Sequence, residues 1–314
     1  MATAPFPVDP VLTGIALAYR NVDYIADQVM PRVNPVLEKE EFTYTRMNLA
    51  EGYTVPNTLV GRKSNPTEVE FSGTRVTGRT QDYGLDDVIP SNDTANASNG
   101  YDPQSFATEA LADLIAQDRE QRVANIVFAN ATYPAANRVT LSGTSQWSDQ
   151  TNSNPLNAIL TALDIPVLRP NIAVFGQATW TQLRQHPRIV TAIFGQTANA
   201  GAVSRQQVAE LLELDEIIVG KSFTNSARRG QAPTLQRLWG KHAAFLRRDL
   251  LATSAEESNR ITFGVTFQFG QRFAGSMPEP KIGLRGSTRV RVGESLSETV
   301  IANDVAYYFE NAVA

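Results

Sequence analysis

The sequence has 314 residues, 42% of them hydrophobic and 19% charged, so it can bury a sizeable core and has too much apolar surface for a disordered chain. Its net charge of -4 comes from 28 basic and 32 acidic residues scattered along the chain, which argues against tight general binding to nucleic acid. Cysteine is absent, which excludes disulfides, thiolate metal sites and cysteine nucleophiles; without a signal-peptide pattern or a membrane-spanning apolar run, we expect a soluble protein made inside a cell, with no membrane partner.

The first 89 residues predict two extended regions. Residues 1–37 are interrupted by five prolines, which predicts an irregular N-terminal arm that must lie on another surface. Residues 38–89 are rich in strand-forming and turn residues but contain few consecutive apolar ones, so we predict a long β-hairpin. A two-stranded ribbon with so little apolar surface cannot form its own core, and we expect packing on another molecule to order it.

One long helix is predicted after this hairpin. Asp102 followed by proline is typical of a helix start, and nothing interrupts the helical pattern over residues 103–128, which would span about 39 Å. The middle of this helix, residues 117–122, is charged and places Asp118 four residues before Arg122. We interpret the charged stretch as a solvated face; a belt of intersubunit salt bridges is the alternative.

The second half of the chain alternates strands with helices, which predicts an α/β subdomain. The predicted elements are a helix from Asn154-Pro155 through Leu163, a strand at 171–175, a helix at 177–185 that Pro187 stops, a helix capped by Ser204, a strand at 216–220, and a strand or strand pair at 235–248. The clearest strand covers residues 261–273, where apolar side chains alternate with small or polar ones and predict one buried face. A further extended run at 287–293 precedes an amphipathic C-terminal segment.

Histidine chemistry would have to use His186 or His242, because the sequence has no others. His186 precedes a proline at a helix end, where a helix-terminus cation accounts for it, and His242 lies in an alternating strand. Neither has neighbours that suggest catalysis or metal binding.

Other patterns that suggest chemistry are also weak. Gly220-Lys221-Ser222 resembles part of a phosphate-binding loop, but Asp215 occupies the position of the first glycine and no helix is expected to follow, so we favour a strand-end turn. The acidic pairs Asp86-Asp87 and Glu256-Glu257 are interpreted as solvated carboxylates in turns. The sequence therefore predicts no active site, no metal site and no cofactor.

Six segments look familiar as a set: Val22 to Val33, Asp82 to Pro90, Asp118 to Phe128, Leu141 to Asp149, Pro170 to Pro187 and Leu238 to Phe245. In this order, with an arm, an extended ribbon, a long helix, an α/β subdomain and returning strands, the chain resembles the Hong Kong 97-type major capsid proteins of tailed bacteriophages. The resemblance implies an α+β fold of that type. It divides the chain into an N-terminal arm (1–37), an extended loop (38–89), a peripheral domain (90–150) with a spine helix at 103–128, an axial domain (151–285) and return strands of the peripheral domain (286–314).

The resemblance also implies a function without catalysis. Such subunits form hexamers and pentamers that build an icosahedral head shell around double-stranded DNA, which they enclose without sequence-specific binding. The implied protein partners are further copies of the chain, a scaffolding protein, a portal protein and a decoration protein, and the implied location is the virion, assembled in the bacterial host cytoplasm. The predicted intersubunit contacts are made by Arg62, Lys63, Asp118, Arg119, Glu120 and Arg122.

Three alternatives stay open from the sequence. A bacterial nanocompartment shell uses the same fold, and a soluble α/β hydrolase or nucleotide-binding enzyme would belong to another class. Some members of the resembled family also form a covalent Lys–Asn crosslink, for which Lys63 and Asn303 are the available pair. We favour a noncovalent contact between the basic loop tip, Arg62 and Lys63, and acidic residues of a neighbour.

Overall fold

A computed structural model describes residues 6–47, 53–69, 73–98, 100–195, 201–228, 230–250 and 261–314. The helices are α1 (Pro10–Ala18), α2 (Ala26–Val29), α3 (Ser91–Ala95), α4 (Pro103–Val127), α5 (Pro155–Leu163), α6 (Gln177–Leu183), α7 (Pro187–Phe194) and α8 (Arg205–Leu212). The strands are β1 (Glu41–Met47), β2 (Gly73–Arg79), β3 (Gln81–Pro90), β4 (Arg138–Thr140), β5 (Ile172–Gly176), β6 (Glu216–Gly220), β7 (Phe223–Asn225), β8 (Leu235–Arg237), β9 (Ala243–Leu246), β10 (Gly264–Glu279), β11 (Ser287–Val300) and β12 (Tyr307–Glu310). Parts of three predicted features lie outside the described residues: the start of the arm, the ribbon at 48–52 and 70–72, and Glu256-Glu257.

The predicted helix starts are confirmed. The Asp102 carboxylate accepts hydrogen bonds from the backbone N–H of Gln104 (3.1 Å) and Ser105 (3.2 Å), and α4 continues to Val127. Asn154 and Ser204 cap α5 and α8 in the same way. The local chemistry of the N-cap therefore determines where these helices begin.

A five-stranded sheet of order β4-β12-β9-β5-β6 forms the centre of one half of the molecule. Strand β5, which lies between β9 and β6, is buried along its whole length, as a strand that is covered on both faces should be. Ala173 and Phe175 face a core that is closed by α5 to α8. Ile172 and Val174 face a second core that is closed by α2 and the C-terminal half of α4. The sheet is thus the layer between two sets of helices.

A three-stranded antiparallel sheet of order β10-β11-β3 lies under the other half of α4. The prediction that β10 has one exposed face is wrong near the start of this strand, because Thr266 and Gln268 are buried as well as Val265 and Phe267. The N-terminal arm runs beside this part of β10, with a parallel bridge between Arg32 and Thr266. The polar face is therefore covered by the chain's own arm.

The ribbon is shorter in its paired part than the sequence suggested. Strands β1 and β2 pair antiparallel from Glu41 opposite Arg79 to Met47 opposite Gly73, whereas β3 leaves the ribbon and pairs with β11. Between the two ribbon strands, residues 53–69 are exposed throughout. The segment has no core of its own.

The sheet pairing also cuts across the predicted domain boundaries at residues 151 and 285. Strands β4 and β12 belong to the five-stranded sheet, while β10 belongs to the three-stranded sheet. The division into peripheral and axial domains stays a prediction. None of the described helices has the length and apolar character needed to cross a membrane.

Candidate functional site

The charged middle of α4 lies at the point where three parts of the fold meet. Glu120 is fully buried, and its carboxylate accepts backbone hydrogen bonds from Ile25 (3.0 Å) and Ala26 (2.7 Å) of the arm. It also accepts a hydrogen bond of 2.5 Å from the indole nitrogen of Trp239, next to the five-stranded sheet. Burial raises the pKa of Glu120, although these three donors oppose the shift. One carboxylate therefore joins the long helix, the arm and the sheet.

Arg119 makes the corresponding connection to the three-stranded sheet. Its side chain is buried; the guanidinium pairs with Asp27 at 2.7 Å and donates to the Met30 carbonyl at 3.3 Å and the Thr266 hydroxyl at 3.1 Å. Burial lowers the pKa of Arg119, and the neighbouring Arg32 adds to the effect. A buried arginine is stable only with such partners, so the arm must be in place for this helix to pack.

Glu294 of β11 is the second buried carboxylate of this junction. It pairs with Arg32 of the arm at 3.0 Å and with Arg272 of β10 at 3.1 Å. Burial alone would raise the pKa of Glu294, but the positive charges of Arg32 and Arg272 outweigh burial and hold it below its ordinary value. Asp27 pairs with Arg32 at 3.1 Å and so connects Glu294 to Arg119. We call Asp27, Arg32, Arg119, Glu120 and Glu294 the spine junction.

The charged residues of α4 thus divide into two groups. The interpretation as a solvated face is wrong for Arg119 and Glu120, which are buried and bonded within the subunit. The predicted pairing of Asp118 with Arg122 is confirmed. Arg122 also pairs with Glu298 of β11 at 2.9 Å and stacks on an aromatic ring of β3. An intersubunit role for these four residues stays a prediction.

The sequence patterns did not predict the spine junction, although the position of Arg119 on the helix is a signal for part of it. Arg119 lies four residues from Ile115 and four from Val123, so it occupies the apolar stripe of the helix. A charge in that position predicts a buried partner. Nothing in the spacing of the sequence indicates that the acidic partner of Arg119 is Asp27.

The predicted loop contacts Arg62 and Lys63 lie in an exposed turn of residues 61–64. Neither forms an ion pair within the part of the chain that the structure describes. Apolar side chains in the same segment are left in solvent, with Val55 90% exposed and Leu59 85% exposed. Exposed apolar and basic groups on one extended segment are typical of a surface that contacts another molecule.

Phe42 holds the base of this ribbon on the body of the protein. Its ring stacks on Phe267 of β10, with 4.0 Å between ring centroids, and both side chains are buried. Gly78 lies opposite Phe42 in β2, and a Cβ there would come within 2.5 Å of the Phe42 ring. The paired part of the ribbon is therefore fixed to the body, where Arg46 of β1 also donates a hydrogen bond of 3.1 Å to the Ile301 carbonyl, and residues 53–69 beyond it are exposed.

A second exposed tip lies between β10 and β11. Leu284 is fully exposed and Ile282 is 40% exposed, and Lys281 and Arg285 flank them. Gly283 turns the chain with φ of 76°, a value that favours glycine. The tip is apolar and basic, like the ribbon segment.

The structure corrects the interpretation of His186. This residue is fully buried and caps the start of α7, where its Nδ1 accepts a hydrogen bond from the Arg188 backbone at 3.2 Å. Its Nε2 lies 3.0 Å from the Ser153 hydroxyl. Burial lowers the pKa of His186, so the ring acts as a neutral acceptor; the expected helix-terminus cation is wrong.

His242 also acts as a neutral acceptor. It lies one residue before β9, and its Nδ1 accepts a hydrogen bond of 3.1 Å from the Asn311 backbone. Burial lowers the pKa of His242. Within the described residues, neither histidine belongs to a group of three side chains that could hold a metal ion.

The remaining sequence patterns have structural explanations. Gly220 ends β6 and no helix follows it, as expected; a Cβ at this position would lie 2.1 Å from the Trp239 ring. The interpretation of Asp86 as a turn carboxylate is wrong, because Asp86 lies within β3 and pairs with Arg289 (3.2 Å) and Arg291 (2.7 Å). These residues stabilise the subunit itself.

Comparison with known proteins places this geometry in context. The chain is 54% identical over 314 residues to the "Major capsid protein" of Pseudomonas phage JBD67, and the match covers 100% of both chains. No protein-family model matches the chain.

Two solved structures share the fold. A phage-related protein from Bordetella bronchiseptica RB50 superimposes with a TM-score of 0.71 at 17% identity, covering 98% of this chain and 99% of that one. The capsid structure of the cyanophage P-SCSP1u superimposes with a TM-score of 0.59 at 14% identity, covering 93% of this chain and 89% of that one. The predicted fold class is consistent with both.

Proposed function

The chain belongs to the family of phage major capsid proteins, and from that premise we propose that copies of it assemble into hexamers and pentamers that close an icosahedral head shell around double-stranded DNA. The observation that carries the family is the 54% identity over the full chain to a phage major capsid protein. Its role is structural and its place is the virion. The alternative of a nanocompartment shell is not favoured, and the soluble enzyme is set aside.

The exposed ribbon segment, residues 53–69, supports the proposal that the protein acts through contacts between subunits. Residues 53–69 have no core, yet they carry exposed Val55 and Leu59 beside Arg62 and Lys63. We place this segment on the surface of a neighbouring copy, with the basic pair against acidic side chains there. Contacts that pass from one copy to the next around a ring close into cyclic assemblies.

The spine junction supports a rigid subunit behind these contacts. Glu120 and Arg119 join the arm and both sheets to one helix, so the subunit can hold its two exposed tips at fixed positions. We assign Arg119 and Glu120 to this internal role. Asp118, at the exposed edge of the pair with Arg122, is the member of the predicted belt that is most accessible to a neighbour.

The further partners are proposed on the family's architecture. We propose a scaffolding protein during assembly, a portal protein at one vertex and a decoration protein on the outer surface, with assembly in the cytoplasm of the bacterial host. The acidic net charge of -4 fits a shell that encloses DNA without holding it tightly, because the salt-dependent attraction to phosphate is weak for an anionic surface.

The experiment that tests this proposal is electron microscopy with sedimentation of the purified protein. The protein is produced alone and then together with its neighbouring genes. We expect closed particles, tubes or ring-shaped capsomers in at least one of the two preparations. A stable monomer in both would contradict the proposal.

A further inference from the structure

A cleft of about 530 Å³ opens where the turn after α1 meets the segment between β6 and β7. The proposed contacts between subunits make no use of it. The lining residues that matter are Asn21, Asp23, Lys221, Ser222, Phe223 and Arg237. The volume lies in the range of roughly 300–1,000 Å³ that is typical of ligand sites, which is large enough for a short peptide segment.

Two basic side chains at this cleft lack acidic partners. Neither Lys221 nor Arg237 forms an ion pair with any residue in the described ranges. The guanidinium of Arg237 stacks on the Phe223 ring, with its Cζ 4.5 Å from the ring centroid, and donates one long hydrogen bond of 3.4 Å to the Lys221 carbonyl. Stacking holds the guanidinium plane and leaves its other N–H groups available to a carboxylate, which a guanidinium binds with two parallel hydrogen bonds.

A third donor lines the same cleft. Ser222 is buried, and its hydroxyl has no hydrogen-bond partner among the described residues. An unpaired buried hydroxyl is uncommon in folded proteins because its desolvation is not compensated. It is therefore an independent indication that a polar group from outside the subunit completes this site.

The charge of the cleft selects among anions. Asp23 lines the same cleft as Lys221 and Arg237, so the three ionised groups sum to one positive charge. A nucleic-acid backbone carries a phosphate at every nucleotide and binds through many spaced cations, whereas a single carboxylate matches this site. We propose that the cleft binds a short acidic peptide segment of another polypeptide, with an Asp or Glu carboxylate held by Arg237 and Lys221.

This inference concerns ligand binding by the subunit and does not depend on the closure of shells. A preparation that fails to assemble can still be tested. The probe is a fluorescein-labelled hexa-aspartate peptide, titrated with the purified full chain and followed by fluorescence polarisation. A hexa-asparagine peptide of the same length is the neutral comparison.

We expect saturable binding of the acidic peptide, weakened at least about tenfold by Arg237→Gln and by Lys221→Gln. Arg228→Gln, an exposed arginine on the connection between β7 and β8, is the matched control and should leave binding unchanged. Circular dichroism checks that each variant is folded, which is expected because all three side chains are exposed.

Several results would overturn the proposal. These are no saturable binding up to about 1 mM peptide, equal binding of the neutral peptide, or equal weakening in Arg228→Gln. An unlabelled single-stranded oligonucleotide is added as a competitor. If it binds more tightly than the peptide and depends equally on Arg237, the site takes nucleic-acid phosphate and the peptide assignment is wrong.

Discussion

The indole nitrogen of Trp239 donates a 2.5 Å hydrogen bond to the carboxylate of Glu120, which also accepts backbone hydrogen bonds from Ile25 and Ala26. Three donors from two distant parts of the chain thus converge on one buried acceptor of the long helix. Replacing Glu120 with Ala leaves all three donors without a partner in the interior.

We predict that Glu120→Ala lowers the free energy of unfolding by about 3 kcal/mol, because each unsatisfied buried donor costs about 1–3 kcal/mol and the desolvation of the carboxylate offsets part of the loss. Urea unfolding, monitored by tryptophan fluorescence, measures this change in the free energy of unfolding. Glu109→Ala changes an exposed carboxylate on the same helix and is the control. Equal stabilities of the two variants would mean that Glu120 does not hold the junction together.

A second prediction concerns the pH dependence of the junction. The folded-state pKa of Glu294 lies below its ordinary value, so its stabilising contribution is present above the unfolded pKa of about 4.3 and is lost as the pH falls through the folded value. Glu294→Gln should therefore be less stable than the unmodified chain at about pH 7, with a difference that narrows below about pH 4.3. Urea unfolding of both proteins across this range measures the difference. A difference that stays constant with pH would contradict the assignment.

The base of the ribbon gives a third prediction. Phe42→Ala removes the ring that stacks on Phe267, and loss of a buried phenylalanine typically costs about 3–5 kcal/mol. Because the cluster around Phe42 is small, we expect the loss to be local, as faster amide hydrogen exchange at 41–47 and 73–79 with little change in β5. Thr43→Ala, on the exposed face of β1, is the control. Uniformly faster exchange throughout the protein would show that the ribbon and the body unfold together.

A fourth prediction distinguishes two glycines. A Cβ at Gly220 would lie 2.1 Å from the Trp239 ring, so Gly220→Ala should destabilise the chain by about 1–3 kcal/mol through overpacking. A Cβ at Gly14, inside α1, meets nothing within 4 Å, so Gly14→Ala should raise stability by about 0.5–1 kcal/mol. Thermal unfolding of the two variants checks both signs. A neutral Gly220→Ala would mean that close packing is not the reason for glycine there.

The last prediction concerns assembly. Arg62→Glu combined with Lys63→Glu reverses two exposed charges that form no ion pair among the described residues. We expect an unchanged melting temperature and a roughly tenfold lower yield of closed particles, counted by electron microscopy. The control is Arg205→Glu combined with Arg228→Glu, which changes the net charge by the same amount at exposed positions outside the ribbon. If both double variants lose the same yield of closed particles, the change in net charge explains the loss and the position of Arg62 and Lys63 does not.

Local signals in the sequence were sufficient for α4, α5, α6 and α8 and for most strands, whereas α7, which begins at Pro187, was not predicted. The Asp102 cap and the following proline fix the start of α4, and the apolar run at 172–175 identifies β5. These elements form from interactions between residues that are near in sequence, or from burial on both faces, which the composition displays directly.

Long-range pairing could not be predicted in the same way. The interpretation of Asp86 failed because its partners Arg289 and Arg291 lie some 200 positions further along the chain. The charged middle of α4 was interpreted as solvated because a charge run is usually exposed, and only the arm's position reveals the buried partners. The interpretation of His186 failed for a local reason instead, because Pro187 marks the start of α7 and was interpreted only as the end of the preceding helix.

The placement of β12 has a consequence for how the chain is made. This strand, Tyr307–Glu310, lies between β4 and β9 and bonds to both, so β4 has no neighbour in the sheet until it arrives. A ribosome must therefore release more than 300 residues before the five-stranded sheet can close, and contacts between residues so far apart in sequence form slowly. Nascent chains that stop before residue 307 would leave one edge of β9 unpaired and Phe245 without its contact to Phe309, and are expected to be held by chaperones or degraded before they can join a growing shell.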